Sequence, residues 1–149
     1  MDMIAMFEDW DGKRVADLRA AADALEPCDY AALIAGCRGK DAKIARAASW
    51  VLKAAYDAGV DIPFPADVLT ADPHWETALH LLQSVQHAPV DLPPEMVVHY
   101  LNHDKPMLRA WALDAYVRLG GPEAESLLVQ AANDPAASVR ARARNLVKK

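Results

Sequence analysis

Histidines, carboxylates, serines and thiols are the residues of this 149-residue chain whose types and spacing bear on chemistry. Glu95, His99 and His103 fall at i, i+4 and i+8, with Asp104 adjacent. Imidazole and carboxylate one helical turn apart can chelate a divalent ion. Three such groups span about 12 Å of helix axis, more than one ion bridges. A polar helix face, with His103 as a cation near the helix end, is the simpler account. His74, Glu76, His80 and His87 form a second set, either lining a groove or partly buried against polar partners. Ser49, Ser84, Ser126 and Ser138 have no evident base partner, and GxSxG, P-loop and HExxH motifs are absent. No catalytic residue, metal or cofactor is assigned, and the chain reads as a non-enzyme. A metal-dependent enzyme built on the histidines of residues 74–103 is the lesser alternative.

Cys28 and Cys37 are the only cysteines. At about 1.5 Å of rise per residue along one helix they lie beyond disulfide reach. Two unbridged thiols suit a reducing cytoplasm, and the absence of CxxC argues against a redox or metal role. Net charge is −5, so the whole molecule repels nucleic acid and anionic membrane. Acids outnumber bases 13 to 8 up to Asp72, whereas Arg140, Arg142, Arg144, Lys148 and Lys149 make a purely basic tail. The opening MDMIAMFEDWDGK is acidic and does not read as a signal peptide. No apolar run approaches the roughly 20 residues that span a bilayer.

The elements that must position these side chains follow from an internal repeat. Asp41, Asp72, Asp104 and Asp134 recur at spacings of 31, 32 and 30, followed by Arg46, Thr77, Arg109 and Arg140. VDIP at 60–63 returns as VDLP at 90–93. Pro94 opens a helix over 94–103 whose stripe is Met96, Val97, Tyr100 and Leu101. Asp104 caps the next helix, Pro106 sits in its first turn, and Leu108, Trp111, Ala112, Ala115 and Leu119 form its stripe. Gly120-Gly121 and Pro122 end it. The same pattern predicts helix pairs at 29–38 and 41–58, 65–71 and 73–87, and 122–133 and 136–147. Ahead of them Val15, Leu18, Ala22 and Leu25 mark a capping helix, onto which Met3, Ile4, Phe7 and Trp10 fold back. Each hairpin is too small to bury its own apolar face, and stacking solves that.

The pairs Asp41/Arg46, Asp104/Arg109 and Asp134/Arg140, each followed by alanines, resemble the HEAT-repeat family of α-solenoids over roughly residues 28–149. Thr77 is the departure. The resemblance implies an all-α, right-handed α-α superhelix with an ARM-like fold. It forms a single domain, with residues 1–27 as an N-terminal cap and repeats at 28–59, 60–89, 90–120 and 121–149. It implies a structural ladder in which Asp41, Arg46, Asp104, Arg109, Asp134 and Arg140 bond between neighbouring repeats. It implies a cytoplasmic scaffold, monomer or weak homodimer, that binds a protein or peptide along its concave surface. Deoxyhypusine hydroxylase, a HEAT-repeat di-iron enzyme, is marked by His-Glu dipeptides, and none occurs here. Proteins similar to the alkylpurine DNA glycosylase type grip duplex DNA in a basic groove. Here Arg142 and Arg144 are the best candidates for that role, and the acidic total makes nucleic acid the unlikely partner. Trp50 and Trp111 are expected in the core, Trp75 exposed, and Trp10 closing the stack. The binding candidates are Lys43, Lys53, His74, Trp75, Arg118 and Arg142.

Overall fold

The computed structural model describes residues 2–88 and 90–148, and all regular structure among them is helical. Lys149 of the basic tail lies outside the described residues. The chain divides into two compact units, Met1–Pro89 and Val90–Lys149.

The first unit is organised around one alanine-rich helix. It contains α1 (Met3–Asp9), α2 (Val15–Asp23), a 3-10 turn (Pro27–Asp29), α3 (Tyr30–Arg38), α4 (Ala42–Asp57), α5 (Ala66–Thr70) and α6 (Trp75–Ser84). α4 packs against α1, α2, α3 and α6. Ala45, Ala47, Ala48, Val51, Leu52 and Ala55 are buried, and small side chains let helices approach it from several sides. Asp41 caps α4, its carboxylate accepting the Ile44 N–H at 3.1 Å. Gly59 (φ +84) stops it in a Schellman turn, with Val60 N–H on the Ala55 carbonyl at 3.0 Å.

Two expectations are corrected in this unit. Met3, Phe7 and Trp10 are buried, but α1 packs on α3 and α4 rather than on α2. α2 has already turned Leu18 and Ala21 onto α4, which leaves Val15 43 % exposed. In the second hairpin the helix expected to be short, α5, has five residues, but Asp72 takes a left-handed backbone (φ 55) instead of capping α6. His74 caps it, Nδ1 accepting the Glu76 N–H at 3.1 Å.

The second unit contains a 3-10 turn (Pro94–Val97), α7 (Val98–Leu101), α8 (Pro106–Arg118), α9 (Ala124–Ala131) and α10 (Ala137–Val147). α8 is its centre, packed by α7, α9 and α10. Ala110, Leu113, Ala131, Val139 and Ala143 form a core closed by Leu127, Leu128 and Leu146. The helix expected over 94–103 is a 3-10 turn followed by one α turn, because Met96 N–H bonds the Pro93 carbonyl at i−3. Asp104 does not cap α8. Lys105 is the N-cap, and its own N–H is taken by His103 Nδ1 at 3.0 Å. Gly120 (φ +77) ends α8.

Within each unit the second helices of successive hairpins lie side by side, α4 with α6 and α8 with α10. No helix among the described residues is long and apolar enough to cross a membrane.

Candidate functional site: a groove between α4 and α6

Packing leaves one stripe of α4 only partly covered. Arg46, Trp50, Lys53 and Asp57 follow at steps of 4, 3 and 4 residues, so they share a helix face. Glu76, His80, Gln83 and His87, thirty residues on, have the same steps. The two rows meet as rungs. Arg46 Nε lies 3.3 Å from Glu76 Oε1, and His87 Nε2 lies 3.9 Å from Asp57 Oδ1. Lys53 Nζ bonds Asp57 at 2.8 Å along its own helix. α2 flanks the rows, placing the Arg19 guanidinium 5.6 Å from the Trp50 ring centroid. A cleft of about 330 Å³ opens among Arg19, Trp50, Lys53, Asp57, His80 and Gln83. A smaller one of about 110 Å³ lies between Trp10, Arg46, Trp50 and Glu76.

Ser49 proves to have an imidazole partner. Its hydroxyl lies 2.8 Å from His80 Nδ1 and 3.1 Å from the Arg46 carbonyl. Ser49 itself is 0 % exposed, so its hydroxyl does not meet solvent. Burial, followed by the charges of Lys53, Arg46 and His74, lowers the His80 pKa to about 4, so the ring is neutral at ordinary pH. The arrangement offers an aromatic platform, two guanidinium or ammonium groups, a carboxylate and an amide. Such a set offers a bound molecule one large apolar face with charged and hydrogen-bonding groups around it.

The other proposed contacts are held internally. Lys43 Nζ donates to the Glu8 carbonyl. His74 caps α6, is exposed, and stacks on a half-buried Trp75 with ring centroids 5.9 Å apart. Arg118 and Arg142 converge on Asp114, which is 0 % exposed, with Arg142 Nη1 at 3.4 Å from Oδ2. Arg142 also lies 4.0 Å from the Trp111 ring centroid. It therefore turns inward, and only Arg144 of the two arginines proposed for phosphate contact is exposed. Trp50 and Trp111, expected in the core, are each half-buried under an arginine from another helix. Among the described residues no three His, Cys, Asp or Glu side chains cluster to hold a metal ion.

The ladder residues do not all meet as drawn from sequence. Asp41 caps α4 and does not face Arg46, which reaches Glu76, the Gly12 carbonyl at 3.3 Å and the Trp10 ring. Arg109 forks onto Asp134 with Nε–Oδ2 at 3.1 Å and Nη2–Oδ1 at 2.9 Å, and its Nη1 takes the His103 and Asp104 carbonyls. Arg109 thereby holds the Asp134 carboxyl below its ordinary value. Asp104 contributes its backbone carbonyl, not its side chain. Arg140 donates to the Asp134 carbonyl of its own loop at 2.7 Å. Thr77, 0 % exposed, replaces the second arginine with a hydroxyl that meets no hydrogen-bond partner among the described residues. Arg109→Lys keeps the charge but loses the fork, and should cost about 1 kcal/mol in thermal or urea melts.

Of the groove residues, sequence reasoning named Lys53, Glu76, His80 and His87 and missed Arg19, Trp50, Asp57 and Gln83. The signal was available in the thirty-residue offset between 46/50/53/57 and 76/80/83/87. Comparison of the chain with protein-family models, with curated proteins and with solved structures finds no match.

Proposed function

We propose that the chain is a cytoplasmic, non-enzymatic HEAT-like repeat module, a right-handed α-α superhelix. It binds a segment of a partner protein across the α4–α6 groove. The observation that carries this is the half-buried Trp50 ring flanked by Lys53, Gln83 and Asp57, in a cleft of about 330 Å³. Large aromatics beside a few polar groups dominate protein recognition. Repeat architecture is supported by the side-by-side second helices and by the Arg109–Asp134 fork between successive hairpins. The free thiols of Cys28 and Cys37 agree with a reducing compartment. Inward-facing Arg142 weakens the case for nucleic acid.

A displayed random-peptide library panned against the full chain tests the groove. Enriched peptides should lose at least about tenfold in affinity on Lys53→Glu and on Gln83→Ala, and be indifferent to Arg144→Glu. Peptides that ignore the groove variants, or no enrichment at all, would remove the proposal.

A further inference from the structure

We propose that the segment bound in the α4–α6 groove is acidic, an apolar side chain lying on Trp50 between two carboxylates, one at Arg19 and one at Lys13. This rests on the groove being the binding site. Trp50 and His80 line both of its clefts. Arg19 and Lys53 line the larger cleft with Asp57, and Lys13 and Arg46 line the smaller one with Glu76. Both acids are already committed. Asp57 holds Lys53 at 2.8 Å, and Glu76 holds Arg46 at 3.3 Å. The other two cations are not neutralised. Arg19 lies over the Trp50 ring, and among the described residues neither Arg19 nor Lys13 has a carboxylate within ion-pair distance.

The bias belongs to the groove and not to the stretch of chain beside it. Over residues 11–23 three acids, Asp11, Asp17 and Asp23, balance three bases, Lys13, Arg14 and Arg19. Packing sorts them. α2 buries Leu18, and Asp17 and Arg19 stand on opposite sides of that contact. Arg19 is on the side of Trp50, whereas Asp17 and Asp23 line neither cleft. Asp11 accepts the backbone N–H groups of Lys13 at 2.9 Å and Arg14 at 2.8 Å, and it too lies outside both clefts, as Arg14 does. Exposed Glu8 and Asp9 on α1 line neither. A segment with acids on both sides of an apolar residue satisfies the ring and the two unpaired cations together. A basic segment sets its charges against them. Nucleic acid fits less well, because its continuous charge would run past Asp57 and Glu76 on a chain of net charge −5.

Fluorescence anisotropy of labelled peptide mixtures with the full chain tests this. The mixtures share a central Leu, Phe or Trp and differ in their flanks, which are Glu and Asp, Lys and Arg, or Ser and Gln. At low salt the acidic mixture should bind at least about tenfold more tightly than the basic one, and Gln83→Ala, which removes no charge, should weaken it. Arg19→Glu combined with Lys13→Glu should reverse the preference at an unchanged melting temperature. Arg14→Glu, beside Lys13 but outside both clefts, should change the affinity by less than about twofold. A loss on Arg14→Glu as large as on Arg19→Glu overturns the proposal, because the general field and not the groove would then be acting. A basic or neutral mixture that is preferred and still sensitive to Gln83→Ala overturns the acidic segment and keeps the groove. If no mixture responds to Gln83→Ala, both fall. A labelled oligothymidylate that displaces the acidic mixture and is released by Arg19→Glu overturns the proposal in favour of nucleic acid.

Discussion

Gly121→Ala should lower the stability of the second unit by about 3 kcal/mol, although it adds one methyl group. A Cβ at 121 would stand 2.0 Å from Tyr116 Cε1 and 2.2 Å from Cζ, far inside contact distance. The backbone is no obstacle, since Gly120 and not Gly121 holds the left-handed conformation after α8. The ring has little room to yield. Tyr116 is 4 % exposed, and its hydroxyl accepts the Glu123 N–H at 3.2 Å. Nor can the glycine withdraw, because its N–H bonds the Tyr116 carbonyl at 3.0 Å as part of the helix stop. Urea melts of a double-mutant cycle read the collision directly. On a Tyr116→Ala background, Gly121→Ala should cost under about 1 kcal/mol. Equal cost on both backgrounds would mean that the ring is not what the methyl meets.

Gly121 illustrates what was legible. The Gly-Gly-Pro stop after α8 followed from residue types alone, but the ring against the second glycine depends on a packed tertiary neighbour. Helix positions were readable because alanine content, apolar stripes and proline placement act locally. The start of α8 was misplaced by a residue, because His103 offered Nδ1 to Lys105 and displaced the Asp104 cap. Polar pairing was less visible. An aspartate–arginine spacing repeated along the chain does not say whether the carboxylate will cap its own helix, as Asp41 does, or bridge hairpins, as Asp134 does. Trp50 and Trp111 sit in apolar helices, yet guanidinium groups cover them where a buried neighbour was expected. The Ser49–His80 contact joins residues 31 apart and leaves no local trace in the sequence.

That contact should make the first unit acid-sensitive. His80 carries an ordinary value of 6.5 unfolded and about 4 folded, with burial the largest cause and Lys53 and Arg46 next. A base whose folded pKa is depressed binds its proton more readily in the unfolded chain. Its share of stability is therefore complete above pH 6.5, falls through the window between 6.5 and 4, and is gone below it. The separation corresponds to roughly 3 kcal/mol, or a fall in melting temperature on the order of 10 °C. Carboxylates act at lower pH. Asp67 beside Arg38 and Asp134 beside Arg109 have pKa values below 3.8, so what they contribute fades beneath the His80 window. His80→Asn keeps a polar group for Ser49 but cannot take up a proton. Melting curves across the window should fall steeply for the wild type and much less for the variant. Parallel curves for the two proteins would show that the half-buried ring does not resist protonation, and the tight packing of α4 on α6 at Ser49 would need another explanation.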